Sequence, residues 1–167
     1  MSLEQHHKNA VQALKVAIIT VSDTRDLDSD KSGQLIATGL EGASHGVVDR
    51  TVVRDEATLI AADLRRHLGD EAVDAVILNG GTGIASRDGT VEVVKSFLDT
   101  ELPGFGEIFR QLSYEEIGPA AMLSRAVAGV ACGKAVFSLP GSTKAVRLAM
   151  EKLILPELGH IVGELKK

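Results

Sequence analysis

The chain is short of aromatic residues and of cysteine. Phe, Tyr and Trp together make up 3% of its 167 residues, and there is no Trp. Flat cofactors are often held by aromatic stacking, so this composition disfavours a protein that encloses a flavin ring. The single cysteine, Cys132, excludes an internal disulfide bond, and no Cys and His residues have the spacing of a zinc site.

Long apolar runs and clusters of basic residues are also missing. No apolar run reaches the roughly 18 residues of a membrane-spanning helix, and the N-terminus lacks the apolar core of a signal peptide. A formal net charge of −5, without a run of Lys or Arg, argues against a protein that binds duplex nucleic acid. We therefore expect a cytoplasmic protein with neither membrane nor nucleic-acid partners.

The composition that remains is that of an ordinary globular protein, with 44% apolar and 25% charged residues. The length suits one domain with a substantial core. Because the first residues are polar, we expect an N-terminal arm over residues 1–14 and a single α/β domain over residues 15–167.

The first half of this domain alternates strands with helices. Apolar runs predict strands, and amphipathic stretches between them predict helices. This alternation predicts parallel strands joined by right-handed crossovers. Asp49 and Arg50 interrupt the second strand, which places it near an edge of the sheet. The predicted elements are strands over Lys15–Val21, Val47–Val53 and Val73–Leu78, a helix from Ser32, and a helix over Ala57–Leu68.

The second half contains more helix and a predicted hairpin, so one strand of the sheet should be antiparallel. We expect a turn at Leu102–Gly106 and two closing helices divided at Pro156. The fold class is then a three-layer α/β/α, doubly wound, mostly parallel sheet. The remaining predicted elements are helices over Thr90–Phe97, Glu107–Glu116, Ala145–Leu155 and Leu158–Leu165, and hairpin strands over Val127–Ala131 and Ala135–Leu139.

Polar or glycine-rich segments follow the predicted strands where these end. Parallel sheets bind ligands outside the carboxyl ends of their strands, at a switch point in strand order. We therefore expect these segments to meet at one edge of the sheet, although they lie far apart in sequence. They are Ser22-Asp23-Thr24, Asp55-Glu56, Gly80 to Asp88, and Pro140-Gly141-Ser142.

The segment Asn79–Asp88 has the composition of an anion-binding turn. It contains three glycines within four residues, which let a bulky anion approach the backbone amides closely. Thr82 adds a hydroxyl donor, Arg87 a positive charge, and Asp88 a carboxylate that could hold Mg²⁺. These features favour a ligand that carries phosphate.

Each acidic residue at these strand ends has a structural alternative. Asp23 could cap a turn, and Asp55 and Asp88 could cap the helices that follow them. The absence of a convincing His base argues against acyl transfer. Phosphoryl or nucleotidyl transfer fits better, because a phosphate nucleophile is already ionised and needs positioning and charge neutralisation. The glycines do not form a P-loop, since the Lys-Ser/Thr ending is absent.

Five motifs follow one another along the chain. They are Thr20-Val21-Ser22-Asp23-Thr24-Arg25, Gly80-Gly81-Thr82-Gly83 with Arg87-Asp88, Leu102-Pro103-Gly104-Phe105-Gly106-Glu107, Leu123-Ser124-Arg125-Ala126, and Leu139-Pro140-Gly141-Ser142. With these motifs the chain closely resembles the MoaB/MogA family of molybdenum cofactor biosynthesis, in order from about Val16 to Leu165. The residues Lys144-Ala145-Val146 after the last motif, and the ending Leu155-Pro156-Glu157-Leu158, are more similar to the MoaB branch.

The resemblance implies a molybdopterin-binding, MogA-like fold and a trimer or a hexamer of trimers. Active family members use Mg²⁺ and transfer AMP from ATP to the terminal phosphate of molybdopterin, and a downstream protein then inserts molybdate. The family's catalytic aspartates fall on Asp55 and Asp88, which could also hold Mg²⁺. Its contacts to pterin or nucleotide fall on Gly80, Gly81, Thr82, Gly83, Ser113, Ser124, Ser138, Pro140, Gly141 and Ser142.

To these substrate contacts we add Ser22 and Asp23, on the strength of their place after the first strand. The family pattern Thr-Pro after Arg-Asp is replaced here by Gly89-Thr90-Val91, which makes this segment more flexible.

Two alternatives to a molybdopterin adenylyltransferase stay open. Some members of the MoaB branch are thought not to catalyse the transfer, so the chain could bind or deliver molybdopterin without turnover. A flavodoxin-like FMN carrier is a third hypothesis, since Ser22-Asp23-Thr24 follows the first strand as a phosphate loop would. The scarcity of aromatic residues counts against it.

Overall fold

A computed structural model describes residues 10–167, so most of the expected arm over residues 1–14 lies outside the described residues. The domain is built on one six-stranded sheet with the strand order β2-β1-β3-β6-β5-β4. The strands are β1 (Lys15–Val21), β2 (Gly46–Val53), β3 (Ala75–Asn79), β4 (Thr100–Glu101), β5 (Val127–Ala131) and β6 (Lys134–Leu139).

Helices connect these strands and cover both faces of the sheet. No helix in the stretch from residue 10 to the C-terminus has both the length and the apolar content needed to cross a bilayer. The helices are α1 (Lys31–Gly42), α2 (Ala57–Leu68), α3 (Thr90–Phe97), α4 (Pro103–Ile117), a 3-10 helix (Gly118–Leu123), α5 (Thr143–Ala149), a π-helical turn (Met150–Ile154) and α6 (Leu155–Leu165).

The sheet is mostly parallel, as predicted. β1 pairs in parallel with β2 and β3, and β3 pairs in parallel with β6. Only β5 runs the other way, since it is antiparallel to both β4 and β6. β2 forms one edge, as the polar pair Asp49-Arg50 indicated, and Asp49 there accepts a 2.7 Å hydrogen bond from Arg66 of α2. The prediction of a doubly wound sheet with one antiparallel strand is confirmed.

Alternating side chains along the central strands divide the core into two layers. Ile18 of β1 and Ile77 of β3 pack on one face, against α1 and the helices of the second half. Ile19 and Leu78 point to the other face, against α2 and α3. Because strand side chains alternate between faces, strands covered on both faces are apolar throughout. The core is thus a three-layer α/β/α sandwich.

The structure differs from the prediction at two places in the middle of the chain. The expected turn at Leu102–Gly106 is instead the beginning of α4, with Pro103 in its first turn. Proline suits that position, because its fixed φ is helical and its missing N–H would have no helical partner. The two-residue strand β4 was not predicted, since its exposed Thr and Glu carry no apolar pattern.

Pro156 does not divide the closing helices. Residues 143–165 form one continuous helical run through α5, the π-helical turn and α6. Proline cannot donate a hydrogen bond, and its ring crowds the carbonyl four residues earlier, here that of Lys152. Lys152 lies in the π-helical turn, where the wider hydrogen-bond spacing accommodates the proline. The apolar faces of this run pack into the core, with Val146, Ile154 and Leu158 fully buried.

A buried carboxylate links the first strand, the first helix and the sheet edge. Asp30 caps α1 by accepting from Gly33 N, and it accepts a 2.7 Å hydrogen bond from the Thr20 hydroxyl. Asn79 at the end of β3 donates to the same hydroxyl at 2.9 Å. Arg50 of β2 pairs with Asp30 at 3.3 Å, and the Asp30 side chain has no exposure to solvent. This network holds three neighbouring strands in register beneath their carboxyl ends.

We predict that Asp30→Ala lowers the free energy of unfolding by about 3–5 kcal/mol, because it leaves the Arg50 charge without its partner and removes a helix cap. Chemical denaturation measures the effect. The matched control is Asp28→Ala, two residues away and exposed, which should change stability by less than about 0.5 kcal/mol. Equal effects of the two substitutions would contradict a structural role for the buried network.

Candidate functional site

The loops after β2, β1, β3 and β6 lie side by side at the carboxyl edge of the sheet. The chain passes from β1 to β2 on one side and then returns to β3 on the other, so β1 and β3 flank the switch point. Open α/β sheets bind ligands at such a point. The structure therefore brings together the segments that were predicted to meet, and the Gly-rich segment lies at their centre.

Glycine at positions 80 and 141 allows these loops to pack closely. Gly80 has φ +95°, and a Cβ there would lie 2.2 Å from the carbonyl oxygen of Val21. A Cβ on Gly141 would lie 3.1 Å from Gly80 Cα. The ends of β1, β3 and β6 are thus in backbone contact, which only glycine permits.

Asp55 lies beside the Gly-rich turn rather than serving as a helix cap. A Cβ on Gly81 would lie 2.9 Å from Asp55 Oδ2 and 2.2 Å from Thr90 Oγ1. The first residue of α2 is preceded by Glu56, whose side chain makes no capping bond. The Asp55 Oδ1 atom is buried and has no hydrogen-bond partner among residues 10–167. A buried carboxylate oxygen without a partner is suited to receive a ligand.

The environment of Asp55 disfavours its negative charge. Burial raises the pKa of Asp55 above its ordinary value, and the carboxylates of Asp88 and Asp23 raise it further, against the opposing effects of the Gly89 amide and Arg87. Carboxylates crowded into one site repel each other, and a cation relieves both the repulsion and the burial penalty. The site therefore favours a bound cation or a proton.

Asp88 is held by a tight turn in the same loop. Its Oδ2 accepts a 2.9 Å hydrogen bond from Ala85 N. A Cβ on Gly83 would lie 2.5 Å from the same oxygen, so glycine at position 83 makes room for the carboxylate. Asp88 is half-buried and precedes α3, whose first turn it does not cap.

An ion pair crosses from the loop after β1 to the loop after β3. Arg87 contacts Asp23 at 3.0 Å, and both side chains are exposed. The other carboxylate oxygen of Asp23 accepts from Asp55 N at 3.1 Å. Asp23 thus connects the three loops that carry the acidic residues, which answers the alternative that it only caps its own turn.

Ser22 organises the loop after β1 and borders an open pocket. Its hydroxyl accepts from the amides of Thr24 and Arg25. The pocket, of about 830 Å³, is lined by residues 22–28 and 50–54. Arg25 reaches Ser32 and the Gly141 carbonyl oxygen, both at 3.4 Å, which brings the loop after β6 beside it. The pocket is wide enough for a small organic ligand.

The other residues predicted to contact substrate differ in their exposure and in their distance along the fold from the Gly-rich turn. Ser113 and Ser142 line a second pocket of about 340 Å³, between α4 and the loop after β6. Ser142 also caps α5 through Ala145 N, and Pro140 is half-buried at the same edge. Ser138 is fully buried inside β6, and the oxygens of Ser124 and Ser138 are buried without a partner in the described chain. Thr82 is 5% exposed, so the surface of the turn is largely backbone.

The acidic residues of this site would supply few protein ligands to a metal. Residues 10–167 contain no group of three or more His, Cys, Asp or Glu side chains placed to hold a metal ion. Mg²⁺ is commonly bound by one or two carboxylates, with substrate phosphates and waters completing its shell. Asp55 and Asp88 therefore fit a metal that arrives with its substrate.

Two residues that contribute to this site had no role assigned from the sequence. Thr90 places a fully buried hydroxyl, without a partner in residues 10–167, beside Gly81 and Asp55. Arg125 lies in the matched Leu-Ser-Arg-Ala motif, and its guanidinium donates to the carbonyl oxygens of Thr82 and Gly83. For Arg125, membership of the Leu-Ser-Arg-Ala motif could have indicated a role in the site. Nothing in the sequence around Thr90 indicated one.

The fold and the strand-end loops define a ligand-binding domain of the doubly wound α/β class. Comparison with known proteins gives its family: residues 17–160 match the model of a family described as a probable molybdopterin binding domain. The chain is 55% identical to molybdenum cofactor biosynthesis protein B of Halalkalibacterium halodurans over 168 residues, covering 100% of this chain and 99% of that protein.

Solved structures agree with this match. The crystal structure of a molybdenum cofactor biosynthesis protein B is 52% identical and covers 92% of this chain and 96% of that one, with a TM-score of 0.90. The tungsten cofactor synthesizing protein MoaB from Pyrococcus furiosus is 39% identical, covers 95% of this chain and 100% of its own, and gives a TM-score of 0.86. The chain belongs to the molybdopterin-binding family.

We predict that Asp55→Asn stabilises the protein at neutral pH. The raised pKa of Asp55 means that the folded protein keeps its proton to higher pH than the unfolded chain. Stability therefore falls as pH rises from the ordinary value of 3.8 through the raised value. The substitution should raise the melting temperature by about 1–3 °C at pH 7, and this gain should disappear below pH 3.8.

Thermal melts of the wild type and of Asp55→Asn across this pH range show whether the substitution raises or lowers the melting temperature. Asp28→Asn, at an exposed position, is the matched control and should change the melting temperature at pH 7 by less than about 1 °C. A lower melting temperature for Asp55→Asn at pH 7 would contradict the unfavourable charge inferred at this position.

Proposed function

We propose that this protein acts in molybdenum cofactor biosynthesis, where it binds molybdopterin and transfers AMP from ATP to the terminal phosphate. An oxygen of the pterin phosphate attacks the α-phosphorus of ATP. The bond from that phosphorus to the bridging oxygen of the β-phosphate breaks, and pyrophosphate leaves. The family match and the names of the relatives support the pathway and the pterin ligand.

The observation that carries the proposal is the unpaired carboxylate oxygen of Asp55 beside the glycine turn. The Gly89 amide lies close to the Asp55 carboxylate, but the Oδ1 atom is buried without a partner in the described part of the chain. A carboxylate with a purely structural role usually has its buried oxygens paired. Asp88 approaches Gly83 of the same turn. Backbone amides that can donate to an anion and carboxylates that favour a cation are thus side by side, as a phosphate–metal complex requires.

Asp55 and Asp88 would hold Mg²⁺, since the crowding that raises the pKa of Asp55 is relieved by a cation. Bound there, Mg²⁺ would neutralise charge on the reacting phosphates. The chain's own contribution is positioning. The amides of the turn bind phosphate oxygens, and the serine hydroxyls of the neighbouring loops orient the ligands. A strong general base is not needed, because the attacking phosphate is already ionised.

The decisive experiment incubates the purified protein with ATP, Mg²⁺ and molybdopterin. The expected products are pyrophosphate and adenylylated molybdopterin in equal amounts. Binding of molybdopterin without either product would support instead a protein that carries the pterin without turnover. A flavin carrier has no support at this edge, because no aromatic residue occurs in segments 22–28, 54–56, 80–89 or 140–142.

We predict that Asp88→Asn lowers turnover by about 10²–10³-fold, the usual cost of losing one preorganised electrostatic contact to a transition state. Pterin affinity should change by less than about threefold, because the amides of the turn are kept. Turnover and pterin binding are measured separately, by pyrophosphate release and by fluorescence titration. Equal loss of both would mean that Asp88 only supports the loop.

We also propose that the protein works as a homo-oligomer, a trimer or hexamer, and that a downstream protein receives the adenylylated pterin for molybdate insertion. Large apolar side chains are exposed on α4 and the 3-10 helix, where Tyr114, Met122 and Leu123 are each more than half exposed. Exposed apolar residues on two consecutive helices are suited to contact another chain. Light scattering should give a mass of three or six chains, and Met122→Glu should lower it. A monomeric wild type would refute this assembly.

A further inference from the structure

The guanidinium of Arg125 is the most heavily used donor near the candidate site. Arg125 lies between the 3-10 helix and β5, about 40 residues in sequence from the loop that it contacts. Its Nε donates to the carbonyl oxygens of Thr82 and Gly83 at 3.2 and 3.0 Å. Its Nη2 donates to Gly83 O at 2.6 Å and to Asp88 O at 2.9 Å. One side chain thus binds both ends of the segment 83–88.

The loop between Gly81 and Thr90 has few other restraints. Thr90 N donates to Gly81 O at 3.2 Å, which closes the base of the loop. Inside it, Asp88 N donates to Ala85 O at 3.0 Å, and Ala85 N donates to the Asp88 carboxylate. These two bonds are local to the loop, and the residues between 83 and 87 are exposed. Arg87 also pairs with Asp23, outside the loop, at 3.0 Å, but both of these side chains are exposed to solvent, which weakens an ion pair. The bonds from the half-buried Arg125 therefore provide the more extensive connection between this loop and the rest of the domain.

Arg125 is itself fixed in place from another direction. Its Nη1 pairs with the carboxylate of Glu92, in the first turn of α3. The Arg125 side chain is 29% exposed, whereas that of Glu92 is 63% exposed. A guanidinium offers five N–H donors in a rigid plane, so it can hold several carbonyl oxygens and a carboxylate at once. Lysine has neither the plane nor the reach to do so.

We propose that Arg125 is a positioning residue for catalysis, because it fixes the backbone on which the Asp88 carboxylate is carried. This inference rests on the adenylyl transfer proposed above. Arg125 donates to the carbonyl of Asp88 itself and to that of Gly83, the residue whose missing side chain makes room for the Asp88 carboxylate. Without Arg125, the carboxylate moves with the loop and loses its placement relative to Asp55.

The test compares Arg125→Ala with Arg110→Ala. Arg110 donates to the carbonyl oxygens of Ser124 and Ala126, on either side of Arg125, and not to the loop between Gly81 and Thr90. The Arg110→Ala variant therefore shows the effect of loosening the backbone around Arg125 while the bonds from Arg125 to the loop are kept. Arg125→Ala should lower kcat for adenylyl transfer by about 10²-fold, the loss that a misplacement of about 1 Å produces. KM for molybdopterin should stay within about twofold.

Two readouts separate positioning from general destabilisation. Amide hydrogen exchange at Ala85, Asp88 and Thr90 should rise by about tenfold or more in Arg125→Ala, with exchange in β1 and β3 unchanged. Added guanidinium ion should restore at least about tenfold of the lost kcat in Arg125→Ala and none in Asp88→Asn, because it refills the donor site and not the carboxylate.

The outcomes are distinct. Unchanged loop exchange, unchanged kcat, or an equal loss in Arg110→Ala without guanidinium rescue would each overturn the positioning role. If the wild type itself makes no pyrophosphate, the proposed function fails, and the exchange measurement alone then decides whether Arg125 orders the loop.

Discussion

The site depends on backbone contact among three strand ends. Gly80 lies against the Val21 carbonyl, and Gly141 lies against Gly80, at distances that exclude a side chain. Any larger residue at these positions would push β1, β3 and β6 apart and separate the loops that follow them. The apolar layers on both faces hold the strands together, but these glycines determine how close the functional loops can come. The backbone amides and carboxylates of these loops lie close together only because of this contact.

A second property follows from where Asp55 is held. The surrounding carboxylates and partial burial act against its charge, so the ligand-free protein keeps an unfavourable interaction at neutral pH. Buried polar groups without partners are uncommon in folded proteins and concentrate at functional sites. Both carboxylate oxygens of Asp30, by contrast, are paired, with Thr20, Gly33 and Arg50. Two aspartates of the same edge are thus distinguished by their partners, one structural and one available to a ligand.

Much of this architecture was predictable from the sequence, because strands covered on both faces are apolar and polar loops mark their ends. The edge position of β2 followed from Asp49-Arg50 alone. The contacts of Arg125 were not predictable, because every residue has a backbone carbonyl and the residue types in the contacted loop therefore do not indicate a guanidinium beside it. Pro156 was misjudged because a π-helical turn can absorb a proline that an α-helix cannot. The buried position of Ser138 likewise depends on its strand partners rather than on its own polarity.

The two edges of the sheet have a consequence for how chains can associate. At one edge, β2 carries the Asp49–Arg66 ion pair, and at the other, β4 is only two residues long. Charged or very short edge strands resist pairing with a strand of another molecule. The protein is therefore protected against growth of its sheet into aggregates, and ordered association has to use helical surfaces. The same edge design that limits amyloid-like pairing is compatible with the assembly proposed above, which uses the exposed apolar residues of α4 and the 3-10 helix.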